Sequence, residues 1–215
     1  MHQPLRVLYL HGFASSPASR KAQFFARKLA DRGIRLEIPD LAEHGFENLT
    51  ISDQLDQIER LLGSEGAILI GSSLGGYVAA LYAARHSEVK RLVLLAPAFN
   101  FYQLWQDELG PERLEVWKRE GKIPVFHYGE NRELPLRYRF FQDASRFEPY
   151  PDFHQPALVF HGNHDASVPV QSSVLFAERH PNVRLVRLNS DHALTDSLET
   201  IWHETETFLL NAPAP

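Results

Sequence analysis

The segment with the clearest chemical potential is a short turn rich in glycine and serine. Residues 71–75 read GSSLG; they follow the apolar run 67–70 and precede a stretch with helical apolar spacing, 77–85. A G-x-S-x-G turn between a strand and a helix strains the backbone of the central serine, raises its hydroxyl above the sheet and places a helix N-terminus behind it. The pattern therefore predicts that Ser73 is a nucleophile, whereas Ser72, at an x position, is expected to serve in packing or capping.

A serine hydroxyl also needs a base that takes its proton and an acid that orients the base. Two later loops offer both groups: Asp165 follows a predicted strand, and His192 follows the next predicted strand. Because the carboxyl ends of parallel strands meet at one edge of a sheet, we expect Ser73, Asp165 and His192 to gather there. Asp191 is an alternative acid, but it adjoins the base in sequence and would have to fold back on it.

The remaining requirement is a pair of N–H donors for the oxyanion of a tetrahedral intermediate. The amide of Leu74, directly after the nucleophile, is expected to supply one of them. The other is predicted to be the amide of Phe13, in a loop after the first strand where Gly12 permits a tight backbone path. His11 and His161 each precede a glycine at a strand end, and both are expected to bond to loop backbone.

The pattern of the whole chain indicates the elements that would position these groups. Short apolar runs alternate with helical patterns, as in βαβ units with a parallel sheet covered by helices on both faces, which predicts an α/β fold. Strands are predicted at residues 5–10, 34–38, 67–70, 91–95, 157–160 and 183–188. Helices are predicted at residues 18–32, 52–62, 77–85, 170–179 and 196–210.

One segment, residues 97–156, breaks this alternation and is rich in aromatic and charged residues. No strand is predicted in it, and it is too long for a simple connecting loop. We therefore expect a small, partly helical cap inserted in a single domain that spans residues 1–215. Three arginines of this segment, Arg132, Arg137 and Arg139, are solvated or paired in the simplest interpretation, and one of them binding a substrate carboxylate is the alternative.

Composition narrows the functional classes. The chain has 215 residues, a net charge of −5 and no cysteine, so disulfides and thiolate metal sites are excluded. No Lys/Arg run suggests a nucleic-acid or membrane surface, and no apolar stretch approaches the roughly 20 residues that span a bilayer. The first six residues show no secretion signal, so a cytoplasmic location is expected. A metal site formed by His161, His164 and Asp165 is an alternative that the loop sequence leaves open.

Taken together, the motifs are similar to those of a known superfamily. The HGF run at residues 11–13, the G-x-S-x-G turn at 71–75, Asp165 and His192 resemble the α/β-hydrolase superfamily. Within it, the longer runs YLHGFASSP and GSSLGGY resemble the small bacterial YqiA-like serine esterases. The resemblance implies the α/β-hydrolase fold with a trimmed, mostly parallel sheet of about six strands, in superfamily order 4-3-5-6-7-8. It places a small cap between the fourth and fifth of these strands.

These observations predict a serine hydrolase that cleaves carboxylic esters of short to medium acyl chains through an acyl-enzyme, without a cofactor or a metal. A thioesterase, including one that acts on acyl-proteins, would use the same three residues and is the first alternative. The second is a ligand-binding protein without catalysis, because a fold does not define a function. The expected partner is a small ester or thioester rather than nucleic acid or membrane, and a homodimer is one candidate oligomeric state.

Overall fold

The structure, a computed structural model, describes residues 6–210. Eight strands lie in this part of the chain: β1 (Arg6–Leu10), β2 (Leu36–Glu37), β3 (Ala67–Ser72), β4 (Val89–Leu95), β5 (Lys122–His127), β6 (Arg132–Arg137), β7 (Ala157–Gly162) and β8 (Val183–Leu188). The α-helices of the same residues are α1 (Arg20–Ala30), α2 (Ile51–Leu62), α3 (Leu74–Ala83), α4 (Phe101–Glu120), α5 (Arg139–Ala144), α6 (Val170–Arg179) and α7 (Leu198–Leu210). A short 3₁₀ turn covers Phe46–Asn48.

Six of the strands form one sheet in the spatial order β2-β1-β3-β4-β7-β8, and every neighbouring pair is parallel. This is the order that the superfamily resemblance implied, so the expected α/β fold and sheet topology are confirmed. The edge strand β2 pairs with β1 over two residues only, and is therefore shorter than the predicted segment 34–38. Leu5, expected to open the first strand, lies outside the described residues.

The sheet divides the core into two layers because alternate residues of each strand point to opposite faces. Leu8 and Leu69 point to the face covered by α2, α3 and α6. Val7 and Ile68 point to the face covered by α1 and α7. Burial on both faces explains why the central strands are continuous apolar runs rather than alternating ones.

Helix α3 is the innermost helix, since each of its residues is buried. Its position directly after β3, a strand paired on both sides, anchors the turn between them. Among the helices of residues 6–210, none combines the length and the apolar character needed to cross a membrane.

The segment between β4 and β7, residues 97–156, is called the cap segment below. It contains α4, which is kinked at Gly110, then the antiparallel hairpin β5-β6, and then α5. The prediction that this segment lacks strands is wrong. The hairpin escaped recognition because it is a separate two-stranded ribbon whose strands carry charged residues and a proline each, Pro124 opposite Pro135. Such a ribbon has two free edges, where prolines are tolerated.

Candidate active site

The turn between β3 and α3 has the strained geometry that the G-x-S-x-G pattern predicts. Ser73 has φ 52° and ψ −118°, in a region that residues with a Cβ rarely adopt. Two glycines make the turn sterically possible. A Cβ at Gly75 would overlap the carbonyl oxygen of Leu10, and a Cβ at Gly71 would lie 2.7 Å from the Cα of Gly76. The serine is therefore held by close backbone packing rather than by side-chain contacts.

The structure brings Ser73, His192 and Asp165 into one hydrogen-bonded chain. The Ser73 hydroxyl donates to His192 Nε2 at 3.0 Å, and His192 Nδ1–H donates to Asp165 Oδ2 at 2.7 Å. The three residues follow β3, β8 and β7 at the carboxyl edge of the sheet. The Asp165 side chain is fully buried, whereas 29% of the His192 side chain is exposed. The imidazole can thus reach both a buried anion and an entering molecule.

Asp165 is held in place through both oxygens of its carboxylate. Oδ1 accepts the backbone N–H groups of Ser167 at 2.9 Å and Val168 at 2.8 Å. Oδ2 accepts from His192 and also lies 3.2 Å from His161 Nε2. Burial by itself would raise the pKa of Asp165, but hydrogen bonds from His161, from His192 and from the Val168 amide hold it well below its usual range. The group is therefore a carboxylate at neutral pH.

Among the residues that the structure describes, Asp191, the alternative acid, makes no hydrogen bond to the His192 imidazole. Its Oδ1 instead accepts the backbone N–H groups of Ala193 at 2.9 Å and Leu194 at 3.3 Å. This contact shapes the loop behind the base, where Leu194 has φ 56°. Asp191 therefore organises the loop that carries His192.

The two amides expected to bind an oxyanion are unengaged. Neither the N–H of Phe13 nor that of Leu74 donates to another group within residues 6–210. The loop that carries Phe13 packs against the nucleophile, since a Cβ at Gly12 would lie 3.3 Å from the Ser73 Cβ. Ala14 follows with φ 51°, which turns the chain sharply at this point. Two free donors thus lie beside the serine, one on the loop after β1 and one on the first residue of α3.

His11 and His161 bond to loop backbone, as expected. His11 Nδ1–H donates to the Gly12 carbonyl at 3.0 Å, and its Nε2 accepts the Leu41 amide at 3.1 Å. His161 Nε2–H donates to the Val168 carbonyl at 2.9 Å. The additional approach of His161 to Asp165 is a feature that the sequence analysis missed, because a four-residue spacing brings side chains together in a helix, whereas here a strand is followed by a loop.

A cleft of about 910 Å³ opens over Ser73 and His192. Its apolar wall comes from the cap segment, through side chains of α4 and of the hairpin: Phe101, Leu104, Trp105, Leu109, Ile123 and Val125. The Phe13 ring joins this wall, packing edge-on against Trp105 at 4.9 Å between ring centroids and stacking on Phe140 at 5.4 Å. The cap segment therefore supplies an apolar surface next to the serine.

The opposite side of the cleft is polar. Lys21, near the start of α1, donates from Nζ to the carbonyl of Ala193 at 2.9 Å. Burial lowers the pKa of Lys21 to about 8, although the negative charges of Asp165 and Asp191 act in the opposite direction and raise it. Arg20, which precedes Lys21 in α1, also lines the cleft. The loop of His192 is thus tied to α1 by an ammonium group.

The cationic groups of the cleft are not the ones considered from the sequence. Arg132, Arg137 and Arg139 are absent from the cleft lining, so the interpretation that one of them binds a substrate carboxylate finds no support. Arg132 lies 3.5 Å from a carboxylate oxygen of Glu130, and Arg137 lies 3.2 Å from one of Glu47. The cationic lining residues are Arg20, Lys21 and Arg113.

The residues considered for a metal are not gathered around one point. His164 Nε2 lies 2.7 Å from Asn189 Oδ1, while His161 and Asp165 are engaged with each other and with backbone. In the described residues, a separate group near the amino end of β4 has closely spaced ligand atoms: Glu59, His86 and Glu88. These side chains already pair internally, with His86 Nδ1 3.0 Å from Glu88 Oε1.

Comparison with known proteins places the chain in a family. A family model described as an uncharacterised protein family, UPF0227, matches residues 6–208. This chain belongs to UPF0227. Together with the relatives and solved structures below, the match confirms the resemblance to the α/β-hydrolase superfamily and its YqiA-like members.

The UPF0227 chain is similar to two curated relatives. It is 26% identical to monoacylglycerol lipase abhd6-B of Xenopus laevis over 215 residues. This alignment covers 93% of this chain and 59% of the lipase. It is 34% identical over 108 residues to the AB hydrolase superfamily protein YisY of Bacillus subtilis (strain 168), covering 44% of this chain and 39% of that protein. The chain thus spans about 59% of the length of the lipase.

Solved structures agree on the fold of this UPF0227 protein. Est1E from Butyrivibrio proteoclasticus, solved with ferulic acid bound, gives a TM-score of 0.83 at 21% identity, with 98% of this chain and 90% of that chain covered. Mouse alpha/beta hydrolase domain-containing protein 10 gives a TM-score of 0.78 at 20% identity, covering 97% and 91%. At these identities the likeness concerns the fold alone.

Proposed function

We propose that this UPF0227 protein is a serine hydrolase that cleaves carboxylic esters. The observation that carries the proposal is the hydrogen-bonded chain Ser73–His192–Asp165, which ends at a serine hydroxyl on the floor of an open cleft. This arrangement makes the serine nucleophilic, because the imidazole accepts its proton while the buried carboxylate stabilises the resulting imidazolium.

The geometry supports a two-step reaction. Ser73 Oγ attacks the ester carbonyl while His192 Nε2 takes its proton, and the free N–H groups of Phe13 and Leu74 bind the oxyanion. His192 then donates that proton to the leaving alcohol, which leaves an acyl group on Ser73. A water molecule, deprotonated by His192, attacks the acyl-enzyme, and His192 returns this proton to Ser73 Oγ as the carboxylic acid leaves. Throughout both steps Asp165 keeps the imidazole in the tautomer with Nδ1 protonated.

The cleft supports esters with an apolar acyl group, because its cap-side wall is made of aromatic and aliphatic side chains. We propose that the preferred acyl chains are of short to medium length. The relative abhd6-B is named a monoacylglycerol lipase, and the solved structure of Est1E holds ferulic acid. Monoacylglycerols and hydroxycinnamoyl esters are therefore two defined substrate classes to include in a search. A thioesterase is a second candidate, favoured by the same hydrogen-bonded chain.

The decisive experiment is the intact mass of the protein after treatment with a fluorophosphonate. We expect a single adduct on the wild type and none on Ser73→Ala, because only an activated serine reacts. Ser72→Ala is the matched control, since it removes the neighbouring hydroxyl and should retain the adduct. If the folded wild type takes up no adduct, the serine is not activated, and the ligand-binding alternative replaces the hydrolase proposal.

The esterase and thioesterase candidates can then be distinguished by measuring turnover of p-nitrophenyl esters, a monoacylglycerol, methyl ferulate and acyl thioesters of matched chain length. Higher kcat/KM for the oxygen esters supports the first candidate, and higher values for the thioesters support the second. Replacing Ser73 by Ala should lower turnover by roughly a millionfold in either case. A small-molecule substrate, a cytoplasmic location and a homodimer remain predictions from the sequence.

A further inference from the structure

We infer that His161 is a positioning residue that holds the Asp165 carboxylate where it can accept the hydrogen bond from His192. This inference rests on the proposed function. His161 lies near the end of β7, its side chain is fully buried, and it does not line the cleft. It therefore meets no substrate. Its contacts are with the loop and the helix that follow it.

The hydrogen bonds of His161 define its tautomer. Nε2 faces two acceptors, the Val168 carbonyl at 2.9 Å and Asp165 Oδ2 at 3.2 Å, so Nε2 carries the proton. Nδ1 then accepts from the Ser173 hydroxyl, 2.8 Å away on α6. The ring is thus fixed on both sides, and its one N–H is directed at the loop that carries the acid.

The oxygen that His161 approaches is the one that matters for the base. Asp165 Oδ2 accepts from His192 Nδ1, and the His161 N–H approaches it from the buried side. Oδ1 is held separately by the Ser167 and Val168 amides. Without His161, Oδ2 would keep only the His192 imidazole as a partner. With it, Oδ2 has a second contact that opposes rotation of the carboxylate away from His192.

This arrangement acts on turnover rather than on substrate binding. Misplacing a catalytic group by about 1 Å can lower the rate by about 100-fold. Loss of the His161 N–H should therefore reduce kcat by up to about 100-fold while KM stays near the wild-type value. It also leaves Oδ2 a stronger acceptor for His192 alone, which should move the acidic limb of the kcat/KM profile to higher pH. The other titratable groups that line the cleft near His192, namely Lys21, Asp191 and His164, are unchanged in the comparison.

Two conservative substitutions separate the roles of the two ring nitrogens. The amide nitrogen of Gln can occupy the place of Nε2, and that of Asn can occupy the place of Nδ1. His161→Gln should keep a donor for Val168 and Asp165 and retain most of the wild-type kcat. His161→Asn should lose that donor and show the fall in kcat and the shift of the acidic limb. Ser173→Ala is the control for packing, since it disturbs the same ring without removing the N–H toward Asp165.

A second readout does not depend on turnover. The proton between His192 Nδ1 and Asp165 gives a far-downfield ¹H resonance, which can be followed in protein that also carries Ser73→Ala. We expect His161→Asn to move this resonance and His161→Gln to leave it near its original position. If Asn, Gln and Ser173→Ala lower the melting temperature alike and none moves the resonance or the pH limb, His161 is only a packing residue. A wild type that takes up no fluorophosphonate would instead refute the proposed function, whatever the resonance shows.

Discussion

The carboxyl edge of the sheet and the cap segment achieve sharp turns in different ways. Among residues 6–210, six non-glycine residues have positive φ. Four lie in loops at the carboxyl edge and are of types poorly suited to that conformation: Ala14, Ser73, Ala96 and Leu194. The two in the cap segment are asparagines, Asn100 and Asn131, which tolerate it well. Backbone strain is therefore concentrated around the proposed nucleophile and base, as is common at functional sites.

The two regions also differ in what holds them together. The groups at the edge are fixed by backbone hydrogen bonds and close backbone contacts, such as the Ser73 amide bonded to the Leu95 carbonyl at 2.9 Å. The cap segment is held largely by aromatic packing, in which Trp105, Trp117 and Phe140 contact one another or their neighbours. Backbone positioning suits a fixed chemical step. Side-chain packing suits a surface that selects the acyl group.

Among the tests that compare the two regions, the largest effect should come from the negative charge of Asp165 at the carboxyl edge. Asp165→Asn should lower kcat by about 10⁴-fold, because the amide favours the wrong tautomer of His192. Asp191→Asn is the matched control and should change kcat little, since the amide keeps an oxygen that can accept from the Ala193 and Leu194 backbone. Steady-state hydrolysis of a p-nitrophenyl ester measures both variants. Equal losses in the two would mean that the hydrogen-bonded chain does not describe the working acid.

The next effect tests backbone packing in the two regions. Gly75→Ala places a Cβ against the Leu10 carbonyl and should destabilise the protein by several kcal/mol or prevent folding. Gly121→Ala, at the end of α4 in the cap segment, adds a Cβ with no atom within 4 Å and should cost only about 1–2 kcal/mol for its positive φ. Urea denaturation compares the two. Similar costs would contradict the view that the turn is held by close backbone contact.

A smaller effect concerns selectivity. Trp105→Leu shortens the apolar wall contributed by α4 and should change the kcat/KM ratio of octanoyl to acetyl esters by about 10- to 200-fold. The kcat for the acetyl ester should stay close to that of the wild type, because Ser73 and His192 are untouched. Thermal melting serves as the check on folding. An unchanged ratio would show that the acyl group does not contact this part of the cap segment.

The smallest effect is a pH dependence from Lys21. Its folded-state pKa of about 8 lies below its ordinary value, so the unfolded chain binds more protons between about pH 8 and pH 10. The free energy of unfolding of the wild type should therefore gain a rising contribution over this range, which Lys21→Met lacks. Denaturant titrations at pH 7.5 and 9.5 measure it. Lys28→Met is the control. Lys28 lies on the same helix and pairs with Glu199, so its replacement should leave the increase in unfolding free energy between pH 7.5 and pH 9.5 unchanged.

Much of the edge was predictable because its determinants are local. The turn at residues 71–75 needs glycines on both sides of Ser73, and these five consecutive residues contain both glycines. The positions of Asp165 and His192 follow from the rule that parallel strands end at one edge. The sheet order followed from the superfamily resemblance. The cap segment was less predictable, because the strands of a solvent-exposed ribbon carry no continuous apolar run.

The amino-acid order alone thus specifies the α/β layering, the strained serine and the three residues of the hydrogen-bonded chain, since each depends on short-range pattern and strand direction. The folded arrangement alone reveals the shared contact of His161 with Asp165, the tie between Lys21 and the His192 loop, and the choice of Arg20 over Arg137 as a cleft residue. These contacts join segments distant along the chain or side chains with several alternative directions. Their outcome depends on how the helices and the cap segment pack, which no local pattern encodes.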